Sequence, residues 1–136
     1  MRELIAAARA AQRNAYAPYS KFKVGAALMA GDGAVITGCN VENASYGLSS
    51  CAERNAVFKA VSEGRRRFHA VAIAADTLEP AAPCGACRQV LSEFNPGLTV
   101  IMVSKRGAMK IVSLDQLLPY AFAAQSLRAD NQKRKT

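Results

Sequence analysis

The chain has 136 residues, 51% of them apolar and 21% charged, which fits one water-soluble domain and leaves no apolar run of the ~20 residues a membrane helix needs. Its formal net charge of +8 is unevenly spread: residues 125–136 carry Arg128, Lys133, Arg134 and Lys135 against Asp130, and Arg65-Arg66-Arg67 follow Gly64. No basic stripe is interleaved with aromatic residues as a strand-binding groove requires, so neither a nucleic acid nor a membrane is expected as partner.

In chain order, a helix is expected from about Glu3 to Tyr16, with Leu4, Ala8, Ala11 and Ala15 along one side and Pro18 ending it. The acid in Met1-Arg2-Glu3-Leu4-Ile5 argues against a secretion leader, and the expected compartment is the cytoplasm. Phe22–Ala30 and Ala34–Val41 read as strands around the hairpin residues Gly31-Asp32-Gly33. A helix from about Ser50 to Glu63 comes next, capped by Ser49 or Ser50 and closed by Gly64, with Ala52, Ala56, Val57, Ala60 and Val61 as its apolar stripe. Phe68–Ala75 is apolar almost throughout, as in a strand covered on both faces.

The proline-containing loop Thr77–Pro83 leads to a helix from about Cys84 to Phe94, stopped by Asn95-Pro96-Gly97. Leu98–Val103 reads as another buried strand. Lys105-Arg106-Gly107 turns the chain into Lys110–Val112, and Ser113 caps a last short helix through Leu118. The order predicts an α/β fold, a three-layer α/β/α sandwich around a five-stranded mixed sheet whose last strand is antiparallel. Residues 1–124 are expected as the single domain and 125–136 as a basic, flexible tail.

The chemistry concentrates at two helix starts. Cys84-Gly85-Ala86-Cys87 places two sulfurs on one side of a first turn, and Cys51 opens another helix. Helix N-termini favour thiolates, and both helices begin at the same expected edge of the sheet, so the three sulfurs are suited to hold zinc. Three protein ligands leave a fourth position for water, and Glu53, two residues beyond Cys51, can move protons without occupying a metal position. Three thiolates and one Zn²⁺ sum to a net −1, and Arg54 is the cation placed to offset it.

Cys51-Ala52-Glu53 followed by Pro83-Cys84-Gly85-Ala86-Cys87 matches the three-cysteine form of the zinc deaminase signature. From about Ala15 to Phe122 the chain resembles the small cytidine deaminases. The resemblance is carried by Tyr16-Ala17-Pro18-Tyr19-Ser20-Lys21-Phe22, Gly38-Cys39-Asn40-Val41-Glu42-Asn43, Cys51-Ala52-Glu53-Arg54 and Pro83-Cys84-Gly85-Ala86-Cys87-Arg88-Gln89. It implies hydrolysis of cytidine and deoxycytidine to uridine and deoxyuridine with release of ammonia. One zinc per chain would sit on Cys51, Cys84 and Cys87, its hydroxide attacking C4 while Glu53 carries protons to N3 and the leaving amine. It further implies that Asn40 and Glu42 hold the sugar, that Phe22 and Ala52 line the site, and that Arg54 lies beside the sulfurs. Phe122 would reach a neighbour's site in a homotetramer.

Three other readings remain open on the residues: a closed four-cysteine zinc knot including Cys39, a redox pair at Cys84 and Cys87, and deamination of another small aminopyrimidine or of a polynucleotide. The first two leave Glu53 without a role. The pair Asn40 and Glu42 suits a sugar better than a free base.

Overall fold

The computed structural model describes residues 1–127. Residues 128–136, most of the expected tail, lie outside the described residues. Strands β1 (Val24–Ala30), β2 (Val35–Cys39), β3 (Phe68–Ala75), β4 (Thr99–Val103) and β5 (Met109–Ser113) form one sheet in the order β2-β1-β3-β4-β5. Only β3 and β4 pair in parallel; the other three pairings are antiparallel, including β5 on β4 as expected.

Alternation along the strands divides the sheet's faces. Ala26 and Leu28, Val71 and Ile73, and Val100 and Met102 face one core, which helices α2 (Ala52–Ser62), α3 (Gly85–Phe94) and α4 (Leu114–Leu117) cover with Ala56, Val57, Ala60, Leu91 and Leu114. Ala27, Ala72, Ala74, Ile101 and Val103 face the other, where α1 (Arg2–Gln12) lays Leu4 and Ala8. These are the three layers expected from the sequence. Helices of 10 or 11 residues are marginal in isolation, and it is this apolar burial that holds them.

Two glycines let helices lie directly on strands. A Cβ on Gly25 would stand 2.0 Å from the Ala8 carbonyl oxygen of α1. One on Gly38 would stand 2.4 Å from the Ala52 carbonyl oxygen and 2.6 Å from the Ala56 nitrogen of α2. No side chain larger than hydrogen fits either position without moving a backbone.

Two local expectations are corrected. The first helix ends at Gln12, four residues before Tyr16, because Tyr16 runs extended beside Val41: its N–H donates to the Asn40 carbonyl and its carbonyl accepts the Glu42 N–H. The N-cap of α2 is Cys51, not Ser49 or Ser50, since Ser50 exchanges both backbone hydrogen bonds with Val41 and stays extended. Other boundaries agree within about two residues, and Gly64 closes α2 with φ of +88°. Gln116 accepts the Ser113 N–H at the start of α4.

Register gathers three strand ends at one edge of the sheet. Val24 pairs with Ala75 and Gly25 with Cys39, so the start of β1 and the ends of β2 and β3 lie side by side. The N-termini of α2 and α3 meet at that edge. No helix among the described residues is long and apolar enough to cross a membrane.

Candidate metal centre and active site

Cys51 and Cys84 are the N-caps of α2 and α3, both with extended backbone, and Cys87 lies in the first turn of α3. The sulfur of Cys84 lies 3.6 Å from that of Cys51 and 3.3 Å from that of Cys87, and all three ligand atoms fall within 4.8 Å of one another. Tetrahedral Zn–S bonds of about 2.3 Å set sulfurs ~3.8 Å apart, so small adjustments fit the set to zinc. It is the only such group among the described residues, and Cys39 does not belong to it. The four-cysteine knot is therefore excluded by position.

The sulfurs differ in how readily they give up a proton. Cys51 is lowered to about 5, chiefly by a hydrogen bond from Cys87 and further by Arg54 and Cys84, against the cost of burial. Cys87 is pushed far up because it is that donor, is buried, and faces Glu53.

Arg54 Nη2 donates to Cys51 Sγ at 3.2 Å, which places a guanidinium beside the sulfurs as the sequence predicts. Its buried Nε–H finds no acceptor among the described residues. Glu53 is 4% exposed, on the first turn of α2. Burial raises its pKa above the ordinary carboxylate value.

Glu53, Ala52, Cys51 and Cys84 line a narrow cavity of about 180 Å³ together with Phe22, Asn40, Ile73 and the loop residues Ala81 and Ala82. A second cavity of about 340 Å³ is lined by Glu42, Tyr19, Ser20, Tyr46 and Ser49. A larger one, about 540 Å³, lies at the opposite edge between Gly31 and Arg67. It contains no thiol and no buried acid, so size does not mark the reactive site here.

Asn40 and Glu42 continue beyond the end of β2, kept extended by the bridge at Val41. The Asn40 side chain is fixed twice, Oδ1 accepting from Val24 N at 2.8 Å and Nδ2 donating to the Phe22 carbonyl at 2.7 Å. Asn40 thus lines the cavity of the sulfurs, whereas Glu42 lines its neighbour. Phe122 is 61% exposed and does not line this chain's own cavity; its carbonyl accepts a hydrogen bond from Gln89 Nε2 on α3. Sequence reasoning assigned no role to Ser20, Tyr46, Ala81, Ala82 or Gln89. Of these only Ser20 and Gln89 stand within the resembling segments, the one signal available.

Residues 1–103 match the family described as the cytidine and deoxycytidylate deaminase zinc-binding region, a span holding all three clustered cysteines and Glu53. The chain belongs to this deaminase family. Among relatives of this deaminase, a cytidine deaminase of Sporosarcina psychrophila is 50% identical over 126 residues, covering 92% of this chain and 93% of the relative. One from Halalkalibacterium halodurans is 52% identical over 125 residues, covering 91% and 95%. The crystal structure of cytidine deaminase from Burkholderia pseudomallei superposes with a TM-score of 0.87 at 54% identity, covering 89% of this chain and 98% of that one. The deaminase fold and the metal-binding segment are therefore shared along nearly the whole chain.

Proposed function

We propose that the protein hydrolyses cytidine and deoxycytidine to uridine and deoxyuridine, releasing ammonia. The observation that carries this reading is Glu53, a buried acid with a raised pKa, in one narrow cavity with two of the three clustered sulfurs. Cys51, Cys84 and Cys87 would hold one zinc ion per chain. When bound, zinc supplies a nucleophile from water at neutral pH. Glu53 accepts one proton of the attacking water and delivers it to N3 of the pyrimidine, then takes the remaining water proton from the new C4 hydroxyl and passes it to the departing amine; water is consumed and ammonia leaves. Arg54 partly cancels the excess negative charge of three thiolates. Phe22 and Ala52 bound the base, and the cavity's small volume excludes bulk water.

Asn40 and Glu42 hold the sugar, at the boundary between the two cavities. Phe122, exposed and unused in its own chain, stacks in a neighbouring site of a homotetramer. Residues 1–124 form the catalytic unit, and the enzyme works in the cytoplasm.

The test is ultraviolet detection of uridine formation by zinc-loaded wild type and Glu53→Gln at matched zinc content. Removing a general acid–base is expected to lower kcat by about 10²- to 10⁴-fold. Absence of turnover of either nucleoside by the zinc-loaded wild type overturns the proposal.

A further inference from the structure

Glu42 is held more tightly than a surface carboxylate needs to be. Its Oε1 accepts the backbone N–H groups of Tyr19 at 3.0 Å and Ser20 at 3.1 Å, and its Oε2 accepts the Ser20 hydroxyl. Ser20 Oγ in turn accepts the Phe22 N–H at 3.0 Å. Lys21 lies between them with φ of +62°, a left-handed conformation that costs a non-glycine residue energy. Two backbone bonds, Tyr16 N–H to Asn40 and Glu42 N–H to the Tyr16 carbonyl, tie the same loop to the chain bearing Glu42. An edge-on contact between Tyr19 and Tyr46, with ring centroids 5.9 Å apart, adds a third tie across the second cavity.

A carboxylate offers about four acceptor positions. Three are filled, both on Oε1 and one on Oε2, which leaves one open position, on Oε2, in a residue lining the second cavity. We infer that Ser20 is a positioning residue for sugar recognition: it clamps Glu42 so that the carboxylate presents a single acceptor position, fitted to one sugar hydroxyl. The inference rests on the reading that Glu42 binds the sugar. The clamp also favours the ionised form, since the Ser20 hydrogen bonds hold the Glu42 carboxyl below its usual range. Ser20 is exposed, and no core packing depends on its hydroxyl.

The test is steady-state kinetics of Ser20→Ala, Ser20→Thr and Glu42→Gln on cytidine and on 2′,3′-dideoxycytidine, the latter as substrate or competitive inhibitor, with zinc content and Tm recorded. Losing a hydrogen bond to a charged group predicts a roughly tenfold higher KM for cytidine in Ser20→Ala, with kcat nearly unchanged. Dideoxycytidine, lacking the 2′- and 3′-hydroxyls to which the clamped carboxylate is fitted, should be bound as by wild type, and Ser20→Thr should restore the cytidine KM. An equal loss on both ligands makes Ser20 merely structural and overturns the inference. So does an unchanged cytidine KM in Ser20→Ala when Glu42→Gln raises it. If Glu42→Gln fails to separate the two ligands, the sugar-binding reading falls and takes the inference with it. A wild type that turns over neither compound overturns the deaminase reading itself.

Discussion

At the metal end of the site Cys87 and Glu53 are 0% and 4% exposed, carried on helix starts whose next turns are packed into the core. At the rim Phe22, Tyr19 and Tyr46 are 42%, 47% and 74% exposed, held by a lattice of hydrogen bonds and one aromatic contact. The metal end draws its rigidity from apolar burial around α2 and α3, where displacing a sulfur means displacing a helix. The rim draws it from polar contacts that compete with water and are individually worth little. The two halves therefore answer to different perturbations: on the proposed reading, chemistry depends on the core and recognition on the loop.

The most severe challenge to this contrast is Cys87→Ala. Removing a buried ligand is expected to abolish zinc retention and lower kcat on the order of a thousandfold or more, read by metal analysis beside turnover. Full zinc content in that variant would show that the metal end does not depend on the α3 turn. Next in size is Arg54→Ala, which should weaken zinc affinity by about 10- to 100-fold in a chelator competition while the protein stays folded. Unchanged affinity and kinetics would remove Arg54 from the metal end.

At the rim, Phe122→Ala should raise the cytidine KM by only about 3- to 10-fold, the worth of one aromatic contact, and leave zinc untouched. Mixing it with Glu53→Gln subunits tells two arrangements apart. If Phe122 serves a neighbouring site, mixed oligomers regain a wild-type KM in the sites that combine an intact Glu53 with a borrowed Phe122. If KM stays high at every mixing ratio, Phe122 acts within its own chain.

The two ends also differed in how far the sequence disclosed them. Cys51-Ala52-Glu53 and Cys84-Gly85-Ala86-Cys87 are two short local motifs; their sulfurs meet across 33 residues, and helix-start chemistry, strand order and the matching signature together predict the cluster that the structure shows. The layers were legible because the segments of β3 and β4 are nearly continuous apolar runs, as in strands covered on both faces, and the alanine stripe of α2 is periodic. What stayed hidden depends on non-local pairing. Ser20 meets Glu42 across 22 residues, which no periodicity records. Tyr16 continues an apolar helical pattern, yet its backbone is claimed by Asn40 and Glu42, and the first helix stops early. Ser50 is a good cap by residue type, but its pairing with Val41 hands that position to Cys51.

Gly38 joins the two ends. It stands two residues before Asn40 on the strand and directly beneath the first turn of α2, which begins at the edge where the three cysteines cluster. Strand and helix are the two jaws of a caliper whose opening is set by an atom that is absent. A methyl group at this position would push the jaws apart and lengthen the span between the Asn40 amide and the Glu53 carboxyl. It would do so from behind, without altering any residue that meets the ligand. On the proposed reading, the length of nucleoside that fits between them is gauged by the hydrogen atom of a half-buried glycine.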